Sequence, residues 1–152
     1  MYAVILIRSP IGVRREVSDT LKMLRLNAIN NCVVVSEVPE SKGMIEKIKD
    51  VATYGEVEEN SLVELLKKRL KLKSGKRVDE KILKDLTDFD KFENFAKEIF
   101  SGRIKIKDFK ELNPVFRLTP PSRGFNSIKE PYPKGDLGYR EKEINELLGR
   151  MM

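Results

Sequence analysis

Three stretches of this chain carry side chains that could do chemistry with a polyanion. In the first, Arg8-Ser9-Pro10-Ile11-Gly12-Val13-Arg14-Arg15, three arginines and free backbone N–H groups meet at the start of an expected helix, whose dipole also favours anions. Phosphate binding is the natural use of that arrangement. An ordinary surface turn whose arginines pair with Glu16 or Asp19 would have the same sequence, and chemistry alone does not separate the two readings. The turn lacks the glycine and lysine spacing of a Walker-type loop. In the second stretch, Lys67 to Arg77, seven of eleven residues are basic and none is acidic. Lys73, Lys76 and Arg77 could track an RNA backbone, each neutralised phosphate adding salt sensitivity. A solvated helix face is the plainer explanation there, because Leu70 and Leu72 suit a helix end packed on a core. The third stretch combines Arg123, Gly124 and Phe125 with Lys129, Tyr132 and Lys134, pairing cations with aromatic rings that can stack on unpaired bases. Phe125 and Tyr132 could equally pin a proline-rich loop onto the domain.

Other constellations carry less. Asp85, Asp88 and Asp90 fall between two expected short helices, where helix-capping aspartates are common and no glycine-turned calcium loop surrounds them, so capping is expected. Cys32 lies beside Val33, Val34 and Val35 and reads as a core residue. The chain has no histidine, which removes the commonest general base, the usual activator of a nucleophilic thiol and the commonest zinc ligand. No catalytic, cofactor or metal site is expected.

Regular elements must position these residues. Tyr2 to Arg8 is β-branched and apolar and ends at turn residues, the pattern of a largely buried strand. Arg14 to Arg25 changes to helical period, with Val17, Leu21 and Leu24 facing the sheet and Arg14, Ser18, Lys22 and Arg25 on another face. Asn30 to Ser36 reads as a second strand closed by Pro39. Ser41 to Asp50 resumes helical spacing with Met44, Ile48 and Val51, and Ala52 to Val57 forms a third strand. This order implies a small α+β domain of two layers, a three-stranded sheet with both helices on one face. Ser61 and Glu64 form a capping-box pair opening a helix that should run to about Ser74 and Gly75. Helices at Glu80 to Leu86 and Asp90 to Phe100 complete a mainly helical segment. Val115 to Leu118 could add a strand to an open sheet edge. Thr119 to Gly138, with four of the seven prolines and three of the nine glycines, should form no regular element. Tyr139 to Arg150, including Arg140, reads as an amphipathic helix with Ile144, Leu147, Leu148 and Met151 as its stripe. The expected division is therefore 1–57, 58–112 and 113–152.

Thirty Lys and Arg against twenty-four Asp and Glu give a net charge of +6, which favours a polyanionic partner at the surface. No apolar run could span a bilayer or serve as a signal peptide, and a soluble, cytoplasmic protein without a membrane or small-molecule partner is expected.

The stretch Ile7-Arg8-Ser9-Pro10-Ile11-Gly12, the helix with Leu21, Leu24 and Leu26, the valine-rich strand and Lys42-Gly43-Met44 resemble the L-thirty family of large-subunit ribosomal proteins. Downstream, Asp88-Phe89-Asp90, Phe116-Arg117-Leu118-Thr119-Pro120-Pro121 and Arg123-Gly124-Phe125 are similar to the longer archaeal form, which corresponds to the eukaryotic family member called L-seven. The resemblance implies a domain related to ferredoxin-like folds, binding to large-subunit ribosomal RNA, closeness to the 5S RNA in the archaeal form, and neighbouring ribosomal proteins as partners. It places the RNA-facing turn at Arg8, Ser9, Gly12, Arg14 and Arg15, with Lys42 and Gly43 at the start of the second helix and Arg117, Arg123 and Gly124 in the extension. Archaeal relatives often carry a histidine where this chain has Thr119 and another just past the following glycines, so any RNA contact made by those histidines is absent or altered here. Adding the cations of the other stretches, the candidate RNA-binding set includes Lys22, Arg25, Lys73, Lys76, Arg77, Phe125, Lys129, Lys134 and Arg140.

Two functions follow. A structural RNA-binding ribosomal protein predicts basic groups spread over all three segments. A protein-interaction or ligand-binding regulatory module on the same core predicts an exposed apolar groove or edge strand.

Overall fold

The computed structural model describes residues 1–152. Its centre is the expected trio of strands: β1 (Tyr2–Leu6), β2 (Asn31–Val35) and β3 (Ala52–Glu56), with β1 antiparallel to both neighbours. Every residue of β1 is buried, which is why Tyr-Ala-Val-Ile-Leu shows no polar alternation. Tyr2, Val4 and Leu6 point to one face and Ala3 and Ile5 to the other, and each face has its own core.

The first face is covered by α1 (Arg15–Met23) and α2 (Pro39–Lys47), which bury Leu21, Leu26, Ile45 and Ile48 against Val4, Leu6 and Val33. Ile45 within α2 and Ile48 just past its end point inward, and Met44 is only half-buried. Pro39 takes the first turn of α2, where its missing N–H is not needed. The second face carries the larger core. Here α3 (Glu59–Arg69), α4 (Glu80–Thr87), α5 (Phe92–Phe100) and α6 (Ile144–Met151) bury Leu62, Leu65, Leu66, Leu83, Phe95, Ile99, Ile144 and Leu147 against Ala3, Ile5 and Cys32. The helical segment thus supplies a third layer, and the expected apolar stripe of the last helix is buried along its length.

Two short strands extend the sheet to the order β4-β2-β1-β3-β5. The edge strand expected after Pro114 is β4 (Val115–Arg117), antiparallel to β2. At the other edge β5 (Gly138–Tyr139) runs parallel to β3. It takes Tyr139 out of the expected helix, which begins only at Ile144 after a single 3-10 turn. That turn sits against β3 because residue 55 is glycine. A Cβ there would lie 2.1 Å from the Glu141 carbonyl oxygen and 2.9 Å from Ile144 Cβ.

Three local expectations are corrected. Ser61 lies inside α3 rather than at its cap, and the N–H of Glu58 before the helix is met instead by Asn145 Oδ1 at 3.0 Å. The helix stops at Arg69 rather than near Ser74, because Leu70 turns fully into the core and Leu72 bridges to Leu112. None of Asp85, Asp88 and Asp90 caps a helix N-terminus: Asp88 ends α4 at φ 60° and Asp90 pairs with Lys84 at 2.7 Å.

Candidate nucleic-acid interface

Four connections leave the sheet at one end. The N–H groups of Ile7 and Arg8 both donate to the Val51 carbonyl at 3.0 Å, Asn30 N–H donates to the Leu6 carbonyl at 2.8 Å, and Leu118 N–H donates to the Asn30 carbonyl at 3.0 Å. The turn after β1, the return into β2, the turn before β3 and the long loop after β4 are therefore rooted side by side. Arg8, Arg117 and the residues of the long loop belong to this end.

In the turn after β1, Arg8 donates through Nη1 to the Asp50 carbonyl at 3.3 Å and meets no carboxylate. Ser9 Oγ accepts from Ile11 N–H at 3.3 Å, and Gly12 turns the chain at φ 80° with open space beside it. Of the acidic partners the sequence offered, only Asp19 is taken up, by Arg15 at 3.9 Å and Lys22 at 3.6 Å. Arg15 is 95% exposed in that pair, so the contact holds little of its charge. Arg14 makes no ion pair. Ile11, at the tip between these arginines, is 88% exposed.

The long loop is built around a buried ion pair. The Asp136 carboxylate accepts from the Arg140 guanidinium and from the backbone N–H groups of Asn126 and Ser127. Arg140 also donates from Nε to Thr53 Oγ1 at 3.4 Å and lies over the Tyr132 ring at 5.1 Å. With 6% exposure, Arg140 is an internal strut and is corrected out of the candidate set. Phe125 is half-buried against the larger core. Phe125 and Tyr132 both help to pin the loop, Phe125 on the core and Tyr132 beneath the Arg140 guanidinium. Arg150 fastens the front of the loop, donating to the carbonyls of Ser122 at 3.0 Å and Gly124 at 2.6 Å. Arg123, Lys129 and Lys134 stay exposed without ion pairs, and the free side of Gly124 has nothing within 4 Å. Thr119 donates to the Met151 carbonyl at 2.7 Å and accepts from Arg69 at 3.1 Å.

The remaining candidates lie elsewhere. Lys73, Lys76 and Arg77 sit in a tight turn closed by Leu72 N–H to the Lys76 carbonyl at 2.8 Å. Asn113, just before β4, donates to the Lys71 carbonyl at 2.9 Å, so this turn stands at the end of β4 opposite to Arg117. Arg77 is partly occupied by the Lys68 carbonyl at 2.9 Å. Lys42 pairs with Glu37 at 2.9 Å and lies over the Tyr2 ring. Hydrogen bonds from Lys42, Tyr2 and the N-terminal ammonium lower the Glu37 pKa to about 2. Gly43, on the outer side of α2, is open. Lys22 and Arg25 are exposed along and just beyond α1, Arg25 at φ 60°.

Burial raises the Cys32 thiol to about 12, which leaves no thiolate for chemistry. No His, Cys, Asp or Glu group has a metal-binding arrangement, and no helix is long and apolar enough to cross a membrane. Sequence reasoning missed Asp136 and Thr53. The readable signal was Asp136 standing four residues before an arginine.

Comparison with known proteins agrees over the whole length. Residues 2–51 match the family model for ribosomal protein L30p/L7e. The chain is 44% identical to the large ribosomal subunit protein uL30 of Methanococcus maripaludis over 99% of both chains. It is 40% identical to that of Archaeoglobus fulgidus, again over 99% of both. With the uL30 of Thermoplasma volcanium it shares 41% identity over all of this chain and 93% of the relative. At that identity and coverage, the chain belongs to the ribosomal protein L30p/L7e family.

Proposed function

We propose that this protein is a structural, non-enzymatic constituent of the large ribosomal subunit that binds large-subunit ribosomal RNA through the loops at one end of its sheet. Membership of the family and full-length likeness to archaeal uL30 proteins support the place in the subunit. The observation that carries the RNA reading is the common root of the turn after β1 and the loop after β4, which present Arg8, Arg14, Arg117, Arg123, Lys129 and Lys134 without a carboxylate partner. Cations left unpaired in the free protein are available to phosphates and release counterions on binding. Ser9, Gly12 and Gly124 offer hydroxyl and backbone contacts in places where a phosphate can come close. Lys73, Lys76 and Arg77 form a second, separate basic turn. In this reading segments 1–57 and 113–152 supply the RNA-facing loops, and 58–112 serves mainly to cover the second face of the sheet.

Salt-dependent binding of the purified protein to large-subunit rRNA fragments, against a generic duplex of equal length and charge, tests the reading. Preference for particular fragments with a slope of several phosphates is the expected result. Equal, weak binding to every RNA, together with failure to sediment with large subunits, would overturn it. The 5S RNA belongs in the same titration, since closeness to it is part of the proposal.

A further inference from the structure

The β2 strand has a neighbour on its outer edge for only part of its length. The β4 strand pairs with Asn31, Cys32 and Val33 and begins at Val115, directly after Pro114. Backbone groups alternate sides along a strand, and the Asn30 carbonyl already receives Leu118 N–H, so Cys32 and then Val34 face outward. Opposite Val34 comes Pro114, which has no N–H to give. The Val34 C=O is thus left without a donor, and no backbone bond joins the Val34 N–H to the Pro114 carbonyl, so both groups stand at an open sheet edge.

Beside that edge lies a cavity of about 400 Å³ between the two helical layers. Its apolar lining includes Met23 and Leu24 from the end of α1, Val38 before α2, and Ile104, Ile106 and Pro114. Met23 is 73% exposed and Val38 43% exposed. Arg25, Lys105 and Lys107 also line the groove, against a single carboxylate, Glu40. None of those three cations makes an ion pair.

We propose that this groove receives an extended segment of a neighbouring protein, which adds a short strand at Val34, sets apolar side chains into the cavity and brings carboxylates to Arg25, Lys105 and Lys107. The open edge offers one donor and one acceptor at strand spacing beside a mostly apolar cavity, which a peptide backbone carrying apolar side chains matches and an anionic, hydrated RNA backbone does not. A second copy of this chain, itself at +6, does not match a basic rim. Hypothetical RNA contacts at the far end of the sheet are not needed for this groove to fill, so the two assignments stand or fall separately.

The test uses the full chain and a fluorescein-labelled octapeptide, Asp-Asp-Val-Ile-Val-Thr-Asp-Asp, read by fluorescence anisotropy. Saturable binding is expected, weakened about tenfold by methylating the central backbone nitrogens of the peptide and by Val34→Pro. Met23→Asp, at a residue too exposed to matter for folding, should weaken it comparably. The Lys105→Glu and Lys107→Glu pair should also weaken binding and flatten its salt dependence. No binding up to about 1 mM peptide, unchanged binding to Met23→Asp, or equal displacement by a single-stranded RNA octamer would each overturn the proposal.

Discussion

The turn at residues 8–15 and the loop at residues 119–138 present cations from the same end of the sheet by opposite means. The turn is short, rooted by two backbone bonds to Val51, and lightly held beyond that, with Ile11 almost fully exposed at its tip. The loop is long and carries its own buried scaffold, in which Asp136 gathers Asn126, Ser127 and Arg140 while Arg150 ties down Ser122 and Gly124. Short reach lets the sheet alone fix the first. Length would cost the second its order, so part of its charge is turned inward to hold the rest in place. Arginines in one basic family of residues therefore divide into those that face a partner and those that make facing possible.

That contrast can be broken at its strongest point first. Asp136→Ala leaves the Arg140 charge buried without its partner, and a loss of about 3–5 kcal/mol is expected in urea unfolding. Limited proteolysis should then cut within residues 123–135, while the turn at 8–15 stays as resistant as before. Gly55→Ala places a methyl group against Glu141 and Ile144, and about 1–3 kcal/mol should be lost as β5 and α6 shift. Replacing Arg8, Arg14 and Arg15 together with alanine should change stability by less than about 0.5 kcal/mol, because none of their contacts is buried. The same triple variant should lower the salt slope of RNA binding by about 2 units. An unchanged slope would remove the turn from the site. Arg123→Ala should lower the slope by about 1 unit with no change in unfolding, which would separate it cleanly from Arg140.

The smallest effect concerns Glu37. Its folded pKa, near 2, lies below the ordinary 4.5, so its ion pair contributes fully above about pH 4.5 and is lost as the pH falls toward 2. Glu37→Gln should make acid unfolding less steep across that window, and added salt should shrink the difference, since the cluster is open to solvent.

What was legible in the sequence followed physical range. The strands β1, β2 and β3, the two helices between them and the stripe of α6 could be read because apolar periodicity over five or more residues reports a buried face. The short β4 could be read too, from Pro114 and the alternation after it. β5 could not, being two residues whose pairing partners, Thr53 and Tyr54, lie far away in sequence. The end of α3 was hidden for the same reason: Lys and Leu favour continuing the helix, and the burial of Leu70 and the bridge between Leu72 and Leu112 are what stop it. At the site, sequence named the cations but not their allegiance. Arg123 and Arg140 look alike in a list of residues, and what separates them is the position of Asp136 after folding.

The sheet is buried on both faces, and this has a consequence for synthesis. The buried core of one face is complete once Val51 and Ala52 have joined Ile45 and Ile48, whereas Ala3, Ile5 and Cys32 wait for the helices from Leu62 onward and, after them, for Leu147 and Met151. A nascent polypeptide halted after the third strand would show a bare apolar wall, which closes fully only when α6 docks. For such a chain, the period between the first strand and the last helix is the one in which a chaperone is most needed.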